Sequence, residues 1–277
     1  MTLSDRNNFF KGGIVISSLC VLLCIAAFVK VIPVYSVMES DITLRSKGIF
    51  QTLVEKHFNA RILAVYCCIA VSVLYSILTL IFIYFSFEKT QSPEILFVAF
   101  FAVSFAPEIL RLILPLSQVY DISPMYLPMA SRIILFGRYF GIFSLFAAVM
   151  YAVGFEPQRQ RNVVLITIVI TLVIVLGVPV DTHTWDSSLN VISGYLSMSR
   201  LVEAGAFLLT TISFLVAAWL RSSREYAFAG VGTVLAFIGR GILLTADSWA
   251  GPVAGLVFLA LGTWLICTNI HKVYLWL

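Results

Sequence analysis

Long apolar runs recur along almost the whole of this chain, and they leave few folds open to it. Within a bilayer no water meets the backbone, so a spanning segment must satisfy its own N–H and C=O groups. A helix does this, and it needs about 20 apolar residues to cross about 30 Å of hydrocarbon. Runs of that length occur at 13–34, 61–87, 93–117, 130–154, 162–180, 198–220, 226–246 and 251–271, which predicts eight transmembrane helices. The composition agrees: 60% of the 277 residues are hydrophobic and 12% are charged, whereas a soluble domain is about one quarter charged. No stretch reads as a soluble domain of useful size.

The expected fold class is an all-α integral membrane protein, a bundle of eight transmembrane helices. Residues 1–12 form a cytoplasmic N-terminus and 13–34 an anchor helix. Residues 35–60 form an extracytoplasmic connector, and 61–277 a seven-helix core with a short tail. Arg6 and Lys11 precede the run Gly12 to Val29 as in a signal peptide, but no small-residue cleavage site follows, so the first helix is read as uncleaved. Within the connector, Ile49, Phe50, Leu53, Val54 and Phe58 recur at helical spacing, which predicts a short amphipathic helix on the membrane surface. The core matches seven-helix receptors and rhodopsins in count and direction only. Its last span has no internal Lys, which excludes a retinal Schiff base, and no motif identifies a family.

Orientation follows from the basic residues near the helix ends. Arg6, Lys11, Lys89, Arg159, Arg161, Arg221, Arg224 and Lys272 fall on the side of the N-terminus, against Arg45, Lys47 and Lys56 in the loops opposite. Both termini are accordingly expected in the cytoplasm, with the chain in a bacterial inner membrane. The formal charge of +4 carries no polybasic tail, so nucleic acid is not an expected partner. The five cysteines, Cys20, Cys24, Cys67, Cys68 and Cys267, all lie in apolar runs, which argues against disulfide staples and against a metal site of CxxC type. No cofactor is expected.

Charges within the spans carry the functional signal, because ionisable side chains in a membrane are costly and usually face the bundle interior. Lys30, Glu108, Arg111, Arg132, Arg138, Arg200, Glu203 and Arg240 all fall toward the face opposite the N-terminus when the helices are threaded up and down. At about 1.5 Å per residue, Glu108 and Arg138 lie at matching depths of about 12–13 Å, and Glu203 and Arg240 at about 8–9 Å. Two interhelical ion pairs are therefore expected, Glu108–Arg138 and Glu203–Arg240. Arg111 and Arg200 each lie one turn from a paired Glu and have no acidic partner left, while Lys30 and Arg132 can snorkel to the surface.

Such an excess of Arg in a partly desolvated pocket suits carboxylate or phosphate, which guanidinium binds in a bidentate way. The leading functional expectation is a binder of an anionic or amphiphilic ligand from the outer leaflet, acting in transport, lipid handling or as an accessory subunit. Membrane lipids, an anionic lipid or a small anion are its expected partners. Arg159, Arg161, Arg221 and Arg224 offer a cytoplasmic face for a protein partner. Two alternatives stand beside it: a seven-helix sensor lacking its own output domain, and a membrane transferase or hydrolase acting on lipid-linked phosphate. Pro107 can kink the third helix, yet no half-broken helix or inverted repeat is evident, which counts against secondary transport. Asp181 to Asp186 is expected to be a solvated turn with an interfacial Trp.

Overall fold

The computed structural model describes residues 3–42, 62–87, 92–120, 125–186, 188–193, 196–245 and 249–275. Among them, eight helical stretches are long and apolar enough to cross a membrane: Leu3–Val31, Leu63–Phe87, Pro93–Ser117, Tyr126–Val153, Pro157–Gly177, Ser199–Leu220, Arg224–Thr245 and Ala250–Tyr274. The chain is a multi-pass helical membrane protein, an all-α bundle as the apolar runs predict. The connector segment expected to form an amphipathic helix, Ile49 to Phe58, lies outside the described residues.

In chain order the helices are α1 (Leu3–Ile42), α2 (Ile62–Phe87), α3 (Pro93–Val103), α4 (Ile113–Tyr120), α5 (Tyr126–Val153), α6 (Gln160–Gly177), α7 (Leu196–Leu220), α8 (Arg224–Thr245) and α9 (Ala250–Leu275). A 3₁₀ segment, Ala106–Leu112, joins α3 to α4. The third span is thus broken in its middle, contrary to the continuous helix its hydropathy suggests. Two prolines explain the break. Pro107 has no N–H to offer the Val103 carbonyl, and Pro115 none for Arg111. Between them the backbone tightens, with the Glu108 N–H donating to the Phe105 carbonyl three residues back at 3.2 Å.

Irregular backbone at membrane depth is tolerated where protein encloses it. The third span is the most deeply buried of the eight. It runs through the centre of the bundle, packed by α1, α2 and α5 along its length and by α9 near α3. The main core gathers Tyr75, Leu80 and Ile83 from α2, Phe101 and Phe105 from the third span, and Leu259 and Ile266 from α9. By contrast α6 packs chiefly on α5 and leaves Leu165, Val169, Leu172, Val173 and Leu176 exposed, an apolar face suited to lipid.

The closest helix pair is α8–α9. A Cβ added at Gly239 would meet the Leu259 backbone nitrogen at 2.4 Å, and one at Gly262 would meet the Ala236 nitrogen at 2.5 Å. Glycine lets the two backbones touch, so dispersion replaces the hydrophobic drive that lipid cannot supply. Gly255 packs in the same way: a Cβ added there would fall 2.6 Å from the Leu243 side chain.

One element departs from the all-helical pattern. Val180–Trp185 (β1) and Val191–Ser193 (β2) form a short antiparallel hairpin between α6 and α7, on the face opposite the N-terminus. The segment read as a solvated turn is therefore mostly extended strand. Val180, Thr182, Thr184 and Trp185 are of types that favour that conformation, and the strands pair at Val180–Ser193 and Trp185–Val191 with an irregularity between.

Candidate functional site

The break in the third span builds the site. Glu108, in the 3₁₀ segment, is 1% exposed. Arg138 on α5 holds it with a two-pronged grip, Nε to Oε1 at 2.7 Å and Nη2 to Oε2 at 2.8 Å. This is the pair expected from matched depth. Close approach of the two elements depends on Gly137 and Gly141, which flank Arg138. A Cβ at Gly137 would lie 2.9 Å from the Ser104 carbonyl oxygen, and one at Gly141 would lie 2.9 Å from the Ser104 Cβ. That small-x-x-x-small spacing is a signal the charge-based reading passed over.

Arg111 is not without a partner, as sequence pairing left it. Its Nη1 lies 3.4 Å from Glu108 Oε2, and both side chains are almost fully buried. In a 3₁₀ helix, side chains three residues apart eclipse one another, so the same break that moves Glu108 also stacks Arg111 on it. One carboxylate therefore serves two guanidiniums. The second expected pair also forms, Arg240 Nη1 to Glu203 Oε2 at 3.4 Å. Arg240 Nη2 donates to the Arg138 backbone carbonyl at 3.2 Å, which ties the two pairs into one cluster.

Five of the eight sequence candidates thus converge: Glu108, Arg111, Arg138, Glu203 and Arg240. The other three do not. Lys30, Arg132 and Arg200 are exposed, and none makes an ion pair with a described residue. Long basic side chains near helix ends reach the headgroup region on their own, as the sequence allowed for Lys30 and Arg132; Arg200, read as lying one turn from Glu203 in the pocket, is exposed as well.

Residues of the hairpin complete the cluster, and sequence reasoning missed them. Arg111 Nη2 donates to the Ser188 carbonyl oxygen. Arg138 Nη2 donates to Asn190 Oδ1 at 2.6 Å. Asn190 Nδ2 in turn donates to Ser188 Oγ at 2.7 Å and to the Leu244 carbonyl at the end of α8 at 3.0 Å. The turn between β1 and β2 is folded inward against the arginines. Short polar residues in a loop carry no periodicity and no charge, so nothing in the sequence distinguished Ser188 and Asn190 from solvated positions.

Among the described residues, the ion pairs of this cluster join three guanidiniums to two carboxylates, one positive charge in excess; a third carboxylate, Asp186, lies in the turn, with its Oδ2 3.5 Å from Ser188 Oγ. Neutral oxygens of Ser188 and Asn190 take up part of that excess, and Arg111 Nε is buried with no acceptor among the described residues. Burying a cationic N–H without an acceptor is unfavourable by more than an ordinary lost hydrogen bond.

A second buried carboxylate lies at the other end of the same span. Glu94, 1% exposed, accepts hydrogen bonds from Ser92 Oγ at 2.7 Å and from the Tyr274 hydroxyl at 2.8 Å. Ser92 is the N-cap of α3 and Pro93 its first residue, so Glu94 sits where the helix dipole favours an anion. The bond to Tyr274 fastens the end of α9 to the start of α3. Arg159, Arg161, Arg221 and Arg224 lie exposed at this end, in the connections that follow α5 and α7 or in the first turns of α6 and α8. Arg159 pairs with exposed Glu156 at 3.1 Å, an arrangement of little energetic weight in water.

A lateral groove of about 210 Å³ lies between α2 and α9, lined by Tyr75, Leu78, Thr79, Phe82, Thr263 and Trp264. No charged residue lines it, and its exposed Leu78 and Trp264 place it toward lipid and away from the arginine cluster. Comparison with protein-family models, with curated proteins and with solved structures finds no match to this chain.

Proposed function

We propose that this membrane protein binds an anionic ligand through the buried Glu108, Arg111, Arg138, Glu203 and Arg240 cluster. The observation that carries the reading is the excess guanidinium of the ion pairs: among the described residues, three guanidiniums meet two carboxylates and Arg111 Nε has no acceptor. A carboxylate or phosphate group supplies both the missing charge and the missing acceptor. The cluster lies on the face opposite the N-terminus, which the positive-inside bias assigns to the outer side, so the ligand comes from the outer leaflet or the space beyond it.

Among the uses of such a site, transport is favoured by the interrupted third span. Discontinuous helices that meet near mid-membrane are a recurrent way of building substrate sites in transporters. Glu108 and Glu203 are both held by arginine, which speaks against either acting as the free base of a lipid-phosphate transferase.

Isothermal titration of inorganic phosphate and of acetate into the purified chain tests the reading. Saturable binding is expected. Arg111→Gln should weaken it by about 2–3 kcal/mol, about 100-fold, because a buried charge-assisted contact is lost. Arg200→Gln, Arg132→Gln and Lys30→Gln should stay within about twofold, since surface charges contribute little. Equal loss on removing an exposed residue and on removing Arg111 would place the attraction at the membrane surface and contradict the proposal.

A further inference from the structure

The geometry points to the hairpin turn as an internal stand-in for the ligand. In this reading a bound oxyanion takes the places now held by the Ser188 carbonyl oxygen on Arg111 and Asn190 Oδ1 on Arg138, and the turn withdraws to admit it. The inference rests on the anion-binding reading and says what occupies that site in its absence.

Three observations carry it. First, the two acceptors come from one short loop and address two different guanidiniums. A phosphodiester or a carboxylate presents two oxygens in the same way, so one group can bridge Arg111 and Arg138. Second, the charge selects a monoanion. Among the described residues, the ion pairs hold one positive charge more than their carboxylates balance; the loop oxygens on Arg111 and Arg138 are neutral and leave that excess in place, and the Asp186 carboxylate departs with the turn as it withdraws. An entering monoanion neutralises it, so exchange of loop for ligand gains electrostatic energy in a desolvated site. Third, the turn is held by contacts that can be broken. Leu189 has a left-handed φ of +58°, which a leucine rarely adopts. It is kept there by packing on the apolar cluster of Ile69, Val73, Ile109 and Leu112. Within the turn, the Leu189 N–H donates to the Asp186 carbonyl and the Asp186 N–H to the Asn190 carbonyl, both at 2.9 Å. These bonds hold the turn's own shape, and Asn190 ties it to the Leu244 carbonyl at the end of α8.

Ser188 reports withdrawal directly, because it is fully buried while the turn is docked. Ser188→Cys, in a background with the five native cysteines replaced by alanine, is labelled with a maleimide-polyethylene glycol reagent. The protein is held in phosphatidylcholine nanodiscs, with and without dimethyl phosphate, and in nanodiscs containing phosphatidylglycerol. Either phosphodiester source should speed labelling about tenfold, as a minor open state becomes the populated one. A response to phosphatidylglycerol alone identifies the source as a lipid headgroup, and a response to dimethyl phosphate identifies a free anion. In parallel, Asn190→Asp places a fixed carboxylate on Arg138 and should abolish phosphate binding, while Asn190→Ala should tighten it about tenfold by removing the competing acceptor. Size-exclusion elution and thermal melting confirm that each variant folds. If phosphate binds the parent, Asn190→Asp and Asn190→Ala alike and labelling of the Ser188→Cys variant does not change, the stand-in role is wrong and the anion site survives. If neither the parent nor Asn190→Ala binds any of the probes, both readings fall.

Discussion

Glu108→Gln is expected to destabilise the bundle by about 3–5 kcal/mol, the range for removing one partner of a buried ion pair. It should be the most damaging single change in the charged cluster, exceeding Arg138→Gln. The asymmetry follows from the sharing of one carboxylate. Losing Glu108 strands Arg138 and Arg111 together and raises the buried excess to two positive charges. Losing Arg138 leaves Glu108 still paired with Arg111 and brings the cluster to neutrality. The double variant Glu108→Gln, Arg138→Gln should recover only part of the loss, because Arg111 still lacks its carboxylate. Unfolding midpoints in mixed detergent and sodium dodecyl sulfate micelles, followed by circular dichroism, give the ranking. Equal effects of the two single changes with full recovery in the double would reduce the site to an isolated Glu108–Arg138 pair.

Gly239→Ala is the second large expected effect. The added Cβ would fall within 3 Å of three backbone atoms of α9, at Leu259 and Gly255. Backbone cannot rotate away as a side-chain tip can, so α8 and α9 must separate. A cost of about 3 kcal/mol, the upper part of the overpacking range, is expected. Gly241→Ala, two residues along on the exposed side of the same helix and with nothing within 4 Å, serves as the control. It should be neutral or slightly stabilising, since alanine limits the unfolded backbone more than glycine does. The same micelle titration separates the two. Because Arg240 lies between them, Gly239→Ala should also weaken the Arg240 bond to the Arg138 carbonyl and with it phosphate binding.

The spans were legible because bilayer thickness imposes one length on every apolar run, so 93–117 and 198–220 could be placed almost to the residue. The two interhelical pairs were legible for a similar reason: rise per residue converts position to depth, and only groups of equal depth can meet. The interruption of the third span was not, since the run 93–117 stays apolar enough to span despite Glu108 and Arg111, and hydropathy does not register backbone geometry. Pro107 and Pro115 were the visible trace. Their joint effect on the side chains, the eclipsing of Glu108 and Arg111, needs the 3₁₀ geometry itself. Ser188 and Asn190 reach the cluster only through a tertiary fold of the loop, which no local pattern encodes. Glu94 was hidden in plain view, because a Glu in the first turn reads as ordinary helix-start chemistry until Tyr274 is seen to close over it.

The cluster is proposed to be an anion site, with one guanidinium in excess of its carboxylates among the described residues. Glu108→Ala tests it most directly, because it opens space at the carboxylate position and doubles the excess. Thermal melting of this variant in detergent is followed with rising acetate at constant ionic strength, set with chloride. Acetate should raise the midpoint of Glu108→Ala well above its effect on the parent, in proportion to the logarithm of its concentration once the site fills, as binding to the folded state alone requires. A midpoint that does not respond to acetate, or responds as the parent does, would mean that the buried guanidiniums do not accept an anion from outside.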